Sequence, residues 1–234
     1  MSIHYILTDI EGTTTDIDFV HKVLFPYAKA ELHDFICAND HDREVMRIFN
    51  IVGAKIAEEQ DRLHISAQER MDYLIYCIDN DIKYPPLKRL QGLIWRAGYE
   101  QKHFKGHIYK DVRPNLALWT ARGIKLGVYS SGSVAAQKLL FEYSEEGDLN
   151  HFFSHNFDTA VGHKQETGAY ASIIMALQLA PQSILFLSDV GKELDAAAAV
   201  GMQTIQLVRD AKTKPSENHR FAFDFNDVTR LITP

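Results

Sequence analysis

Two acidic residues follow directly on an apolar run at the start of the chain. The run ends in Asp9-Ile10-Glu11-Gly12-Thr13-Thr14, and its length and bulk are typical of a buried strand. In an open α/β sheet, ligands bind at the carboxyl ends of the strands. An aspartate in such a position can act as a nucleophile, as a metal ligand or as both. The structural alternative is that these residues cap a following helix.

Polar residues also lie where other predicted strands end. Ser130 and Ser131 follow one strand, and Asp189 follows another. Lys164 lies in a loop before a predicted helix. Parallel strands bring their carboxyl ends to one edge, so these groups can converge with the two acids of the first strand. Hydroxyl and N–H groups before a helix can hold phosphate oxygens, and a lysine supplies a point charge for phosphate. The alternatives are a turn with a helix cap and a solvated surface lysine.

The charges of these residues favour a metal ion. Asp9 and Asp189, if about 4 Å apart, would repel each other by about 4 kcal/mol at an effective dielectric constant of about 20. Lys164 alone cannot offset this repulsion together with a phosphate dianion. A hard divalent cation can, and two or three oxygen ligands together with waters suit Mg²⁺. The metal would also neutralise charge that develops on a phosphoryl oxygen.

Several other residues have two possible roles. Glu193 could orient a metal-bound water, or it could be a first-turn residue favoured by the helix dipole, and the same alternatives hold for Asp195. The next region and its exit contain His21, Trp95, Tyr99, His103 and His107. For the aromatic residues at helical spacing, we expect core packing rather than ligand contact.

A long helical segment interrupts an alternation of strands and helices. Apolar residues recur at helical spacing after the first strand, with a capping box from Ser66 to Glu69 and a break at Pro85-Pro86. Alternation then resumes, which predicts βαβ units and a doubly wound, Rossmann-like parallel sheet. The later predicted strands are 124–131, 151–157, 183–188 and 203–208, and the helices between them are 134–143, 170–179 and 196–200.

The pattern predicts two domains. Residues 1–15 and 109–234 form an α/β catalytic core, and residues 16–108 form an inserted α-helical cap. The insert begins immediately after the acidic strand end, so we expect it to cover the site.

Composition excludes several classes of protein. The 234 residues contain 46% hydrophobic and 24% charged residues, as in ordinary globular proteins, and the net charge of −6 offers no basic field for nucleic acid. Cys37 and Cys77 lack metal-ligand spacing, which indicates reduced packing residues. No apolar stretch reaches the roughly eighteen residues of a membrane span, and the strand pattern from Ile3 leaves no room for a signal peptide. We expect a cytoplasmic protein without nucleic-acid or membrane partners, and we favour a monomer.

The motifs resemble a known family. Asp9-x-Glu11-Gly12-Thr13, Ser130, Lys164 and Asp189 resemble, in order, the four motifs of the haloacid dehalogenase superfamily. The resemblance to the enolase-phosphatases of methionine salvage is closer and runs from end to end. It is carried by Asp9-Ile10-Glu11-Gly12-Thr13-Thr14, Leu24-Phe25-Pro26-Tyr27-Ala28, Val128-Tyr129-Ser130-Ser131-Gly132-Ser133-Val134, Gln137-Lys138-Leu139-Leu140-Phe141, and Leu187-Ser188-Asp189-Val190 with Glu193-Leu194-Asp195.

The resemblance implies a bifunctional, Mg²⁺-dependent phosphoric monoester hydrolase. Its substrate would be 2,3-diketo-5-methylthiopentyl 1-phosphate, which is enolised and then dephosphorylated to the acireductone 1,2-dihydroxy-3-keto-5-methylthiopentene. Asp9 would form an aspartyl phosphate, Asp9, Glu11 and Asp189 would hold the metal, and Ser130, Ser131 and Lys164 would bind substrate. Most phosphatases of the superfamily carry a second aspartate at the position of Glu11. The enolisation base stays open between Glu11 and a histidine or acid of the cap.

Three other functions are alternatives to the enolase-phosphatase, and sequence features argue against the second and third. A capped phosphatase or mutase of the same superfamily could act on a sugar phosphate instead. A receiver-type signalling module would be shorter, would lack the insert, and would carry its phosphorylated aspartate on a later strand. A dinucleotide-binding Rossmann protein would show Gly-x-Gly-x-x-Gly after the first strand, which this chain lacks.

Overall fold

A computed structural model describes residues 2–80 and 82–233 and contains a six-stranded parallel sheet. The strand order is β3-β2-β1-β4-β5-β6. Strands β1 and β4 are buried along their whole length, as expected for parallel strands covered by helices on both faces. The strands are β1 Tyr5–Thr8, β2 Lys125–Tyr129, β3 Phe153–Phe157, β4 Ile184–Ser188, β5 Gln203–Leu207 and β6 Arg220–Ala222.

The chain reverses its direction across the sheet at β1, which pairs with both β2 and β4. Thr8 lies opposite Val128 in β2 and opposite Leu187 in β4. The residues that follow these three strands therefore emerge side by side at one edge. Such a switch point is where open α/β sheets bind ligands. The predicted doubly wound α/β fold is confirmed.

The chain divides into two compact units. The first contains residues 1–19 and 105–234 and carries the sheet, and the second contains residues 20–104. The helices of the first unit are α1 Ile17–Phe19, α6 Val112–Ala121, α7 Val134–Glu142, α8 Thr167–Leu177, α9 Gly191–Ala199 and α10 Phe225–Ile232, with 3₁₀ turns at Asn150–Phe152, Thr159–Val161 and Pro181–Ser183. The assignment of 16–108 as a cap stays a prediction.

The second unit is helical around its own apolar core. It begins with a π-helical turn, Val20–Leu24, and continues with α2 Phe25–Ala38, α3 Arg43–Gln60, α4 Ala67–Asp79 and α5 Pro85–Glu100. The capping box predicted from Ser66 to Glu69 is present. Pro85 and Pro86, which the sequence predicted as a break, form the first turn of α5. Proline is tolerated there because it lacks only an N–H that the first turn leaves unpaired in any case.

Some elements of the first unit were not predicted from the sequence. Strand β6 has three residues, of which only Ala222 is buried, so it shows no alternating pattern. Helix α10 is eight residues long, but its N-cap Asp224 is a signal that could have identified it. Helix α9 begins at Gly191, five residues before its predicted start, so that Glu193 lies in its first turn. Within the described residues, no helix combines the length and apolar character that a membrane crossing requires.

Candidate active site

Asp9 lies one residue beyond β1 and is only 3% exposed. Its backbone N–H donates to the Leu187 carbonyl of β4 at 2.8 Å, which joins the end of β1 to the end of β4. Its carboxylate Oδ1 accepts hydrogen bonds from the Ile10 backbone N–H at 2.7 Å and from Lys164 Nζ at 2.6 Å. Asp9 is therefore held in one orientation, with an ammonium group against one oxygen.

Lys164 is buried between two carboxyl groups. Its Nζ contacts Asp9 at 2.6 Å and Glu193 Oε2 at 2.8 Å. Burial by itself lowers the pKa of Lys164, but the two carboxylates outweigh burial and the net direction is upward. Tyr129 lies with its ring centre 5.8 Å from Nζ, and the Tyr170 hydroxyl donates to the Lys164 carbonyl at 2.7 Å. Lys164 is thus a fixed cation at the end of the sheet.

Glu11 meets the end of β2 through Ser130. The Ser130 hydroxyl donates to Glu11 Oε2 at 3.1 Å and accepts from the Gly132 N–H at 3.0 Å. Burial, followed by the neighbouring Asp9 carboxylate, raises the pKa of Glu11. Ser131 follows in the same turn with an exposed side chain. The structure therefore brings Glu11 and Ser130 together, although 119 positions separate them.

Asp189 follows β4 and packs against the backbone of Gly12. Gly12 has a φ of +70°, and a Cβ there would overlap the Asp189 carboxylate. Burial, followed by repulsion from Asp9, raises the pKa of Asp189 to about 7. The buried Gln206 amide donates to the Asp189 carbonyl at 2.9 Å. A glycine is required at position 12 both for the left-handed backbone and for this close approach.

Two acids that the sequence left open have different surroundings. Glu193 is buried, and it accepts from the Ser188 hydroxyl at 2.9 Å as well as from Lys164. Burial and Asp9 raise the pKa of Glu193 to about 7. Asp195 instead pairs with His219 at 2.9 Å and is more than half exposed. Glu193 is therefore part of the acidic site, whereas Asp195 faces a different partner.

Ser188 was not among the site residues predicted from the sequence. Its hydroxyl lies 2.9 Å from Glu193 and 3.4 Å from Asp9 Oδ2, and it accepts from the Val190 N–H at 3.1 Å. Its place immediately before Asp189 at the end of a buried strand was the available signal. Ser188 connects the acids of β1 and α9.

The donor set suits a hard divalent cation. Four carboxyl groups and the Lys164 ammonium interact at one sheet edge, with mutual repulsion among the carboxylates. Carboxylate oxygens are the ligands that Mg²⁺ prefers. The missing side chain of Gly12 lets the Asp189 carboxylate approach the turn that carries Glu11. Within residues 2–80 and 82–233, no three aspartate, glutamate, histidine or cysteine side chains are placed close enough together to hold a metal ion as they stand. The fit thus rests on donor chemistry and charge.

Comparisons with known proteins find matches along almost the whole chain. The family model described as haloacid dehalogenase-like hydrolase matches residues 3–201. Enolase-phosphatase E1 of Klebsiella pneumoniae is 50% identical over 226 residues, which cover 97% of this chain and 96% of that protein. The protein of the same name from Erwinia tasmaniensis is 46% identical over 230 residues, covering 98% of each chain. The crystal structure of the UTR4 protein from Saccharomyces cerevisiae is similar with a TM-score of 0.78 and 31% identity, covering 95% of this chain and 98% of that chain.

Proposed function

Since the chain belongs to the haloacid dehalogenase-like hydrolases, we propose that it hydrolyses a phosphate monoester through Asp9 and performs the enolase-phosphatase step of methionine salvage. The enolase-phosphatase resemblance and the hydrolase class predicted from the sequence are confirmed by relatives that match 97–98% of the chain. We propose 2,3-diketo-5-methylthiopentyl 1-phosphate as substrate. The products are phosphate and the acireductone 1,2-dihydroxy-3-keto-5-methylthiopentene.

The Lys164–Asp9 contact is the observation that carries this proposal. A carboxylate held at a sheet edge beside a buried ammonium is arranged to attack an anionic phosphorus centre, because the ammonium offsets the charge of the incoming phosphoryl group. In the first half-reaction, a bond forms from Asp9 to phosphorus while the bond from phosphorus to the substrate oxygen breaks. Water then hydrolyses the aspartyl phosphate. Ser130 and Ser131, in the turn before α7, position phosphoryl oxygens through hydroxyl and N–H groups.

We propose that Asp9, Glu11 and Asp189 hold one Mg²⁺ ion. When bound, the ion supplies charge neutralisation for the phosphoryl oxygens and for the crowded carboxylates. Glu193 orients Lys164 through an ion pair, and the Ser188 hydroxyl lies next to Asp9 Oδ2 and helps to orient it.

Enolisation requires removal of a proton from the carbon next to a carbonyl group. Glu11 is one candidate base, because burial and Asp9 raise the pKa of its carboxyl group and thereby make the carboxylate a stronger proton acceptor. A histidine or acid of residues 16–108 is the alternative. A normal rate of enol formation in a Glu11→Gln variant would exclude Glu11 as the base.

The test is turnover of the diketo phosphate with and without Mg²⁺, with enol absorbance and phosphate release followed together. We expect both signals only with Mg²⁺. Asp9→Asn should lower phosphate release by at least about 1,000-fold, as for loss of other hydrolase nucleophiles. Asp195→Asn is the matched control, since Asp195 pairs with His219, and it should retain normal turnover. Metal-independent turnover, or near-normal release by a folded Asp9→Asn variant, would contradict the proposal.

A further inference from the structure

Arg209 lies two residues beyond β5. Its side chain contacts the backbone of the acidic turn, residues 9–15. The guanidinium Nε and Nη2 atoms both donate to the Thr13 carbonyl, at 2.9 and 2.8 Å. Nη1 donates to both carboxylate oxygens of Asp111 at 2.9 Å. One planar group therefore connects the turn after β1 to the start of α6.

The surroundings of Arg209 keep it rigid. Its side chain is only 6% exposed, and the guanidinium carbon lies 4.3 Å from the ring centre of Tyr109 and 5.2 Å from that of Phe225. Asp111 also accepts the Phe225 N–H at 2.8 Å. A buried charge is tolerated when it is paired and hydrogen-bonded, as this one is. The sequence pattern does not predict any of these contacts of Arg209.

Thr13 belongs to the same tight turn as the proposed nucleophile and metal ligand. The N–H groups of Thr13, Thr14 and Thr15 all donate to the Ile10 carbonyl, at 3.1, 2.9 and 3.0 Å. Gly12 precedes Thr13 and lies against Asp189. A shift of the Thr13 carbonyl would therefore move the backbone between the two acids of β1 and the acid of β4.

We infer that Arg209 is a positioning residue for phosphoryl transfer, which holds the turn of residues 9–15 in its reactive geometry through the Thr13 carbonyl. The inference rests on the proposed function of that turn. Arg209 itself touches no reacting group. Its effect is on the placement of Asp9 and of Gly12 relative to Asp189.

Lysine cannot replace arginine at this position. Two N–H groups reach one carbonyl oxygen while a third nitrogen reaches Asp111, and this requires a planar fork. A lysine ammonium keeps the positive charge beside Asp111 but cannot span both partners. Arg209→Lys therefore separates the placement of the turn from the neutralisation of Asp111.

The experiment compares wild type, Arg209→Lys and Arg230→Lys, the last being an exposed arginine of α10 as matched control. Phosphate release from the diketo phosphate at saturating Mg²⁺ gives kcat and KM. For Arg209→Lys we expect kcat to fall by about tenfold to 100-fold while KM changes by less than about threefold, since small misplacement of reacting groups has effects of this size. Amide hydrogen exchange in residues 9–15 should become faster, and Arg230→Lys should match wild type in both measurements.

The outcomes separate this inference from the proposed function. A folded Arg209→Lys variant with wild-type kcat and wild-type exchange in residues 9–15 overturns the inference. If wild type releases no phosphate, the proposed function fails, and the exchange measurement alone decides whether Arg209 holds the turn. Should Arg209→Lys not fold, the double variant Arg209→Gln/Asp111→Asn removes both buried charges together. Wild-type kcat in that double variant would also overturn the inference.

Discussion

At the scale of single residues, Lys164 sets the electrostatics of the site. Its one ammonium group serves both Asp9 and Glu193, while burial and repulsion raise the pKa values of Glu193 and Asp189 to about 7. The single positive charge of Lys164 therefore does not neutralise all the carboxyl groups of the site. This excess of acid suits a site that is completed by a divalent cation and receives a phosphoryl group.

Replacing Lys164 with methionine should affect both activity and stability. The variant keeps the length of the side chain but leaves two buried carboxyl groups without their cation. We expect kcat for phosphate release to fall by about 100-fold to 1,000-fold, and the melting temperature to fall as well. Lys192→Met changes an exposed lysine of α9 and should leave both quantities unchanged. Wild-type phosphate release by a folded Lys164→Met variant would refute this role.

Glu11→Gln tests which group removes the enolisation proton. If Glu11 is the base, stopped-flow absorbance should show enol formation slowed by about 100-fold or more. The amide can still accept the Ser130 hydroxyl bond, so the turn should be retained. A normal rate of enol formation in this variant would exclude Glu11 and point to a base from residues 16–108.

At the scale of elements, strand ends rather than strand interiors carry the chemistry. β1, β2 and β4 are neighbours in the sheet, and their carboxyl ends supply Asp9, Ser130 and Asp189. β5 and the residues after it support the site through hydrogen bonds to its backbone. Gln206 donates to the Asp189 carbonyl, and Arg209 donates to the Thr13 carbonyl. In the second unit, local hydrogen bonds stabilise a helix start: the capping box of Ser66 and Glu69 begins α4.

The capping box makes a testable contribution to stability against acid. Hydrogen bonds from Arg62 and Ser66 lower the pKa of Glu69 to about 2. A carboxyl group with a lowered pKa stabilises the fold above its ordinary pKa, and this stabilisation is lost as the pH falls towards about 2. Glu69→Gln should therefore lower the melting temperature at pH 7, and the difference from wild type should shrink in acid.

Thermal unfolding of the full chain across this pH range measures the effect. Glu58→Gln, which changes an exposed glutamate of α3, is the matched control and should show no such dependence. An equal difference between Glu69→Gln and wild type at pH 7 and in acid would show that Glu69 makes no ionisation-dependent contribution.

At the scale of the whole molecule, the first unit contains every residue proposed for phosphoryl transfer. Residues 1–19 and 105–234 supply the sheet, its switch point and the acidic edge. The second unit, residues 20–104, has a separate helical core. The proposed phosphoryl chemistry is therefore a property of the α/β unit, and residues 16–108 as a cap remain a prediction.

Much of this organisation could be predicted from sequence, for physical reasons. Asp9 and Asp189 each follow a buried apolar run, and parallel strands bring such ends to one edge. The contact of Arg209 with Thr13 spans 196 positions and is made to a backbone carbonyl, so no periodicity reveals it. Ser188 and Gln206 were not predicted for a different reason: the role of a buried polar side chain can be interpreted only once its partners are known.

The central claim is that Asp9 forms a covalent bond with phosphorus. The most direct measurement mixes the protein with the diketo phosphate and Mg²⁺, quenches in acid during the first turnover, and locates added mass by peptide mass spectrometry. We expect one phosphoryl group on Asp9 in wild type and none in Asp9→Asn. A phosphoryl group on another residue, or rapid turnover with none on Asp9, would contradict it.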